Sequence, residues 1–296
     1  MIVVVVGAFL LGWLVSSLRP IPPRIIASAD KYVLRVALPA LILAKLSTVE
    51  PNANLVLPIT IAWSLIAGAA VLIIVVGRVL SLDAKVIGAL LLVAVLGNTS
   101  FLGLEMVQSL LGVDHMPSAI AFDQLGTFLG LSVWGSYVAS RYGAGEIGWK
   151  PVVRRLIRFM PFLAVLASIP LRAIDAPDVV YSVLNGFGRT VAPVAMGALG
   201  LRFTVRVSRT VATPAILGLC LKMLVMPGAV YFIATLVGST HDLAWSASIL
   251  QAAAPPMVTA GVVAVSAGLS EDLVAFMVGI GTLVAFVSIP LLSLAL

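Results

Sequence analysis

Long apolar runs occupy most of this chain and restrict it to one fold class. Each run is about 20 residues long, the length that a helix needs to cross a bilayer, whereas a barrel strand needs about ten residues of alternating polarity. Apolar residues make up 61% of the 296 residues and charged residues only 10%, against roughly a quarter in soluble domains. The sequence therefore predicts an all-α polytopic membrane protein with no soluble domain.

Ten membrane-spanning helices can be placed on these runs, and we number them spans 1 to 10. The sole cysteine, Cys220, lies inside span 8, so neither disulfides nor a cysteine-based metal site is expected. The sequence has no recognisable catalytic motif, and we therefore do not expect an enzyme. The spans are 1–18, 32–48, 55–77, 86–112, 117–139, 159–174, 179–201, 210–237, 243–268 and 272–295.

Basic residues indicate how the chain is oriented in the membrane. Thirteen Lys and Arg residues lie in the connections after the odd-numbered spans, and only Arg172 lies on the other side. Because cytoplasmic loops are enriched in Lys and Arg, both termini are expected outside. A bacterial inner membrane is the expected location. The net charge of +6 is thus explained by topology, and no nucleic-acid partner is expected.

An internal repeat divides the chain into two halves. Four pairs of residues, one member in each half, are offset by 154 to 156 positions: Pro39 and Pro193, Pro58 and Pro214, Gly112 and Gly268, and Gly126 and Gly281. Each half holds five spans, so the second half must enter the membrane with inverted topology, which is typical of secondary transporters. We expect a first repeat at 1–140, a basic cytoplasmic linker at 141–158 and a second repeat at 159–296.

Span 4 is interrupted near its middle by the polar sequence Gly97-Asn98-Thr99-Ser100. The repeat places this interruption opposite Ala253–Pro256 of span 9, where two consecutive prolines cannot continue a helix. Irregular backbone at membrane depth is tolerated only against protein or a water-filled cavity. We therefore predict two broken helices, spans 4 and 9, that cross near the midplane.

Several polar residues near the breaks are candidates for binding a substrate. Half-helix N-termini attract anions and freed carbonyls attract cations, although the polar residues of span 4 would also serve merely to cap the half-helices. Arg189 in span 7 and Lys222 in span 8 would form a cationic patch that holds the carboxylate of a substrate or, alternatively, would pair with acidic side chains of the protein. The predicted substrate-binding residues are Asn98, Thr99, Ser100, Asn185, Arg189, Lys222, Gln251, Pro255 and Pro256.

Two carboxylates, Glu105 and Asp123, lie at similar depth on the adjacent spans 4 and 5. Their proximity would suit a site for a coupling ion, either sodium or a proton. The alternatives are an ion pair with Lys45 or simple exposure to an outer vestibule. No metal site and no other cofactor are expected.

The segments VALPALILAKLS, LGNTSFLGLEM and AAAPPMVTAGVVAVSAGLSED resemble the auxin efflux carrier family, which belongs to the bile-acid/sodium symporter superfamily. The resemblance runs along the whole chain. It implies ten helices, with spans 1, 2, 6 and 7 as a scaffold and spans 3–5 and 8–10 as a moving core. It also implies crossed spans 4 and 9, elevator-like alternating access and organic anions as cargo. Asn98 would be the substrate-facing asparagine of the crossover, and Pro255 and Pro256 its prolines.

The expected function is therefore secondary transport of a small organic anion, most simply a carboxylate. The alternative is a sodium or proton antiporter or symporter with Glu105 and Asp123 as its principal ion site. A membrane receptor or scaffold is disfavoured, because it would have no use for two costly midplane breaks.

Gly126 and Gly130 form a GxxxG motif in span 5, which indicates close packing within the fold or, less often, the face of a homodimer.

Overall fold

The computed structural model describes residues 2–19, 21–47, 55–143, 158, 160–174, 176–202 and 209–296. These residues are helical and contain no strand, which confirms the all-α prediction for this part of the chain. The predicted basic linker at 141–158 lies outside the described residues except for 141–143 and 158.

The α-helices are numbered in chain order. The first half contains α1 (Ile2–Leu18), α2 (Pro23–Tyr32), α3 (Leu38–Leu46), α4 (Val56–Val79), α5 (Ala84–Val93), α6 (Leu104–Leu110), α7 (Met116–Ala121) and α8 (Ser136–Tyr142). The second half contains α9 (Met160–Ala173), α10 (Asp178–Arg189), α11 (Val191–Arg202), α12 (Arg209–Cys220), α13 (Met226–Leu236), α14 (Leu243–Ala252), α15 (Val258–Ser266) and α16 (Glu271–Ser293).

Several α-helices are joined through π-helical turns, in which an extra residue widens the helix. Such turns are rare and are found frequently at functional sites. One of them follows the break of span 4, two lie in span 5 and one carries Lys222. The π-helical turns are Val33–Ala37, Thr99–Gly103, Phe122–Phe128, Leu131–Gly135 and Leu221–Val225.

Within the described residues, three helical stretches are long and apolar enough to cross a membrane by length and composition: Val56–Val79, Glu271–Ser293 and Val211–Leu236, the last of which includes the π-helical turn Leu221–Val225. Other predicted spans are divided into shorter helices by π-helical turns or breaks; Ala84–Val93, for example, is apolar but has only ten residues. The ten-span count and the inverted repeat therefore remain predictions.

Both predicted breaks are present in the structure, and their backbones contact each other. The last residue of α5 is Val93, and helical structure resumes at Thr99; α14 ends at Ala252 and α15 begins at Val258. Gly97 and Pro256 form an isolated antiparallel β-bridge. The residues from 251 to 264 are all buried, so the two breaks meet inside the hydrophobic core.

Candidate functional site

Reciprocal backbone hydrogen bonds join the two breaks. The amide of Asn98 donates to the carbonyl of Pro255 at 2.7 Å, and the amide of Met257 donates to the carbonyl of Leu96 at 3.0 Å. Buried backbone groups must find partners, and each break leaves donors and acceptors that its own helix no longer satisfies. Each interrupted backbone thus supplies the partners that the other lacks.

A buried lysine lies against the break of span 9. The Lys222 ammonium donates a hydrogen bond of 2.7 Å to the carbonyl of Ala252, the last residue of α14. Only 2% of the Lys222 side chain is exposed. A cation at the carboxyl end of a helix is stabilised by the partial negative charge of the terminal carbonyls.

Asp123 lies at the centre of a polar cluster between spans 4 and 5. Its Oδ1 accepts hydrogen bonds from the hydroxyls of Thr99 (2.5 Å) and Ser100 (2.6 Å), and its Oδ2 accepts one from the Gln124 amide (2.6 Å). Thr99 also pairs with the hydroxyl of Thr127 at 2.7 Å. Because the single Thr99 proton is donated to Asp123, Thr127 must donate to Thr99. The cluster therefore holds residues from both spans in one hydrogen-bonded network.

A cavity of about 280 Å³ opens beside this cluster. One wall comes from spans 2 and 7 and contains Asn185 and Arg189; the other comes from spans 4 and 5 and contains Ser100, Glu105 and Gln124. With Gln108, the cavity therefore combines a guanidinium, a carboxylate, three amides and a hydroxyl. The remaining lining residues are Leu41, Phe101, Leu104, Met116, Phe128 and Gly188.

Three buried amide oxygens near the site have no hydrogen-bond partner among the described residues: Asn98 Oδ1, Gln124 Oε1 and Gln251 Oε1. A buried polar group without a partner costs free energy, and such groups are rare. Gln124 also lines the cavity, so its carbonyl oxygen is an available acceptor there. Gln251 instead donates to the carbonyl of Ala119 at 3.1 Å.

Comparison with known proteins identifies the family. Residues 1–293 match the model of a family described as Membrane transport protein. The chain belongs to this family. The resemblance to the auxin efflux carrier family is thereby confirmed, and the protein is a multi-pass membrane protein of a transporter family.

Two archaeal relatives carry the same general description. An uncharacterized transporter of Methanothermobacter thermautotrophicus is 26% identical over 294 residues, which cover 97% of this chain and 94% of that protein. An uncharacterized transporter of Methanocaldococcus jannaschii is 26% identical over 165 residues, which cover 54% of this chain and 53% of that protein. Neither description states a substrate.

The predicted site residues of this transport protein fall into three places. Asn185, Arg189, Ser100 and Glu105 line the cavity; Thr99 and Asp123 form the adjoining polar cluster. The remaining predicted residues lie at or beside the crossover, where the two breaks meet, and are absent from the described cavity lining: Asn98, Lys222, Gln251, Pro255 and Pro256. Lys222 therefore does not share the cavity of Arg189, although these two cations were predicted to form one patch.

Three polar residues of the site were not predicted from the sequence: Gln108, Gln124 and Thr127. Gln124 and Thr127 belong to the segment QLGTFLGLSV of span 5, which aligns with span 10 in the internal repeat. The repeat thus identified this segment but did not indicate which of its side chains belong to the site. Gln108 lies one helical turn after Glu105, so it shares a face with that residue.

Proposed function

We propose that this membrane transport protein is a secondary carrier of a small carboxylate, and that the cavity beside Asp123 is its substrate site. The observation that carries the proposal is the shared cavity of Arg189, Asn185 and Gln124. A guanidinium binds a carboxylate through two parallel hydrogen bonds. At about 280 Å³, the cavity is near the lower limit of ligand pockets, which favours a small substrate.

The position of the cavity supports alternating access. Its two walls come from the spans that the family resemblance assigns to different bodies: spans 2 and 7 to the scaffold, and spans 4 and 5 to the moving core. In this proposal the chain forms two inverted repeats of five spans in a bacterial inner membrane, with both termini outside. Elevator-like movement of spans 3–5 and 8–10 carries the substrate across while Arg189 remains on the scaffold.

Glu105 narrows the chemical class of the substrate. It lines the same cavity as Arg189 and would repel a plain anion. A carboxylate that also carries a hydroxyl or ammonium group would offer a donor to Glu105 and to the unpartnered Gln124 Oε1. We therefore propose a 2-hydroxy or 2-amino carboxylate in preference to an unsubstituted one.

Counterflow in proteoliposomes tests this proposal with a matched panel: a short carboxylic acid, its 2-hydroxy and 2-amino analogues, and the corresponding amine without a carboxyl group. The substituted acids should be transported best and the amine not at all. Arg189→Gln should lower transport by about 100-fold, the equivalent of about 2.7 kcal/mol. Arg172→Gln, an exposed arginine outside the cavity lining, is the matched control and should transport normally. Unchanged transport by Arg189→Gln would refute the assignment.

Ion transport is the second candidate function, and the oxygen-rich environment of Asp123 favours it. The hydroxyls of Thr99 and Ser100 contact this carboxylate, and the hydroxyl of Thr127 contacts Thr99; oxygen ligands suit sodium or a proton pathway. In that case Glu105 and Asp123 form the principal ion site. Asp123→Asn would then abolish sodium or proton flux in liposomes that contain no organic substrate, whereas a pure carboxylate carrier would show no such flux in either form.

A further inference from the structure

The proline pair of span 9 leaves a particular carbonyl without its helical partner. In a continuous helix the carbonyl of Ala252 would accept a hydrogen bond from the amide of residue 256, but residue 256 is a proline and has no N–H. Ala252 is fully buried, so water does not replace the missing donor. The carbonyl is also the end of α14, where the helix carries partial negative charge.

Lys222 supplies the missing donor from a neighbouring helix. Its ammonium is 2.7 Å from the Ala252 oxygen, and the π-helical turn Leu221–Val225 carries the side chain toward the break. Among the described residues, no carboxylate lies within ion-pair distance of this ammonium. A buried charge is costly unless it is compensated, and here the compensation comes from backbone carbonyl oxygen.

Gly97 makes room for the ammonium. A methyl group at position 97 would lie 3.0 Å from Lys222 Nζ, 3.1 Å from Cε and 3.4 Å from the carbonyl oxygen of Ala254. Because Gly97 is also bridged to Pro256, the ammonium lies where both interrupted backbones converge. The site therefore has the elements of a cation site: carbonyl oxygen, a helix carboxyl end and space beside a glycine.

We propose that Lys222 is a built-in cation that occupies a monovalent-cation site at the break of span 9. In carriers with broken helices, unwound carbonyls and half-helix carboxyl ends coordinate sodium. In this protein the Lys222 ammonium takes that position, so the break is neutralised without a free ion. This inference concerns a different place from the substrate cavity and from Asp123, and it does not depend on the identity of the substrate.

Thermal unfolding of the purified full-length protein tests the inference, with tryptophan fluorescence as the readout and sodium chloride compared with choline chloride at equal ionic strength. Lys222→Ala opens the site, so its Tm should be low in choline and rise saturably with sodium. At ten times the dissociation constant the rise should be about 3 °C or more. Wild type should show no comparable rise. Lys222→Met, which fills the space without a charge, is the matched control and should not respond.

Lys222→Gln tests whether the site needs a positive charge or only a hydrogen-bond donor. Its amide can still donate to Ala252 but carries no charge, so its Tm in choline should be lower than that of wild type. A wild-type Tm for Lys222→Gln would overturn the inference, because a neutral donor would then suffice. An Ala variant whose Tm does not respond to sodium any more than wild type does would overturn it as well. Should Lys222→Ala fail to fold, the Gln variant decides alone. Since no substrate is used, failure here is distinct from failure of the proposed transport function.

Discussion

Gly103 allows the halves of spans 4 and 9 to pack closely, and its substitution tests that contact. A methyl group at position 103 would overlap the Gln251 Oε1 atom and lie 3.1 Å from its Cδ. Gln251 is fully buried and is held by its hydrogen bond to the Ala119 carbonyl. Gly103→Ala must therefore displace the end of a buried side chain that a hydrogen bond holds in place.

The expected loss of stability in Gly103→Ala combines two unfavourable terms and one favourable term. Overpacking a buried site costs about 1–3 kcal/mol. Breaking the Gln251 hydrogen bond, which leaves its buried polar groups without partners, costs a further amount of about 1–3 kcal/mol. The better helix propensity of Ala returns about 1 kcal/mol. We expect Gly103→Ala to be destabilised by about 3 kcal/mol. Gln251→Ala should lose about 1–3 kcal/mol by itself, because it removes the hydrogen bond but introduces no overlap.

The double variant is the decisive comparison. A protein with both Gly103→Ala and Gln251→Ala should be about as stable as Gln251→Ala alone, because the alanine at position 251 leaves room for the new methyl group at position 103. Thermal unfolding in detergent measures this, with about 2–4 °C of Tm per kcal/mol. Gly68→Ala is the matched control, since a methyl group there meets nothing within 4 Å. Additive losses in the double variant, or a Gly103→Ala protein as stable as Gly68→Ala, would refute the reasoning.

Two further substitutions test the polar cluster and the packing of span 5. Asp123→Asn should abolish substrate counterflow and lower stability by about 1.5–3 kcal/mol, because Thr99 and its neighbours lose a charged acceptor. Ser132→Ala, whose hydroxyl donates to the Phe128 carbonyl one turn earlier, is the control and should transport normally. Trp134→Phe should lose about 1 kcal/mol, since its indole N–H donates to the Leu91 carbonyl at 2.8 Å. It should leave counterflow unchanged, and a transport defect with normal Tm would contradict a purely structural role.

Local chemistry explains why the two breaks could be predicted. The polar sequence Gly97–Ser100 marks the first interruption, and the internal repeat then leads to Pro255 and Pro256, which cannot continue a helix whatever surrounds them. The contact between the breaks, seen in the Gly97–Pro256 bridge, was likewise predictable because each broken backbone needs partners inside the core. These inferences need no knowledge of neighbouring side chains.

The grouping of the polar residues was less predictable. Arg189 and Lys222 were both predicted to be cations near the middle of a span. In the structure, however, Arg189 lines the cavity and Lys222 binds the Ala252 carbonyl. Their separation depends on how the helices rotate and pack, and one-dimensional spacing contains no information about either. Asp123 and Lys222 also lie in π-helical turns, which change the helical period and so the direction of the side chains; Gln124 was therefore missed although its neighbour was predicted.

The sequence by itself therefore determined the protein's class and the places where its helices must break, because hydropathy, charge and proline act locally along the chain. It also determined the family, since the whole chain carries the match. Only the tertiary structure decided that Asp123 is surrounded by hydroxyls, that Arg189 shares a cavity with Glu105, and that a lysine ammonium lies at the break of span 9. Those contacts join residues far apart in the chain, and they exist only once the helices have packed.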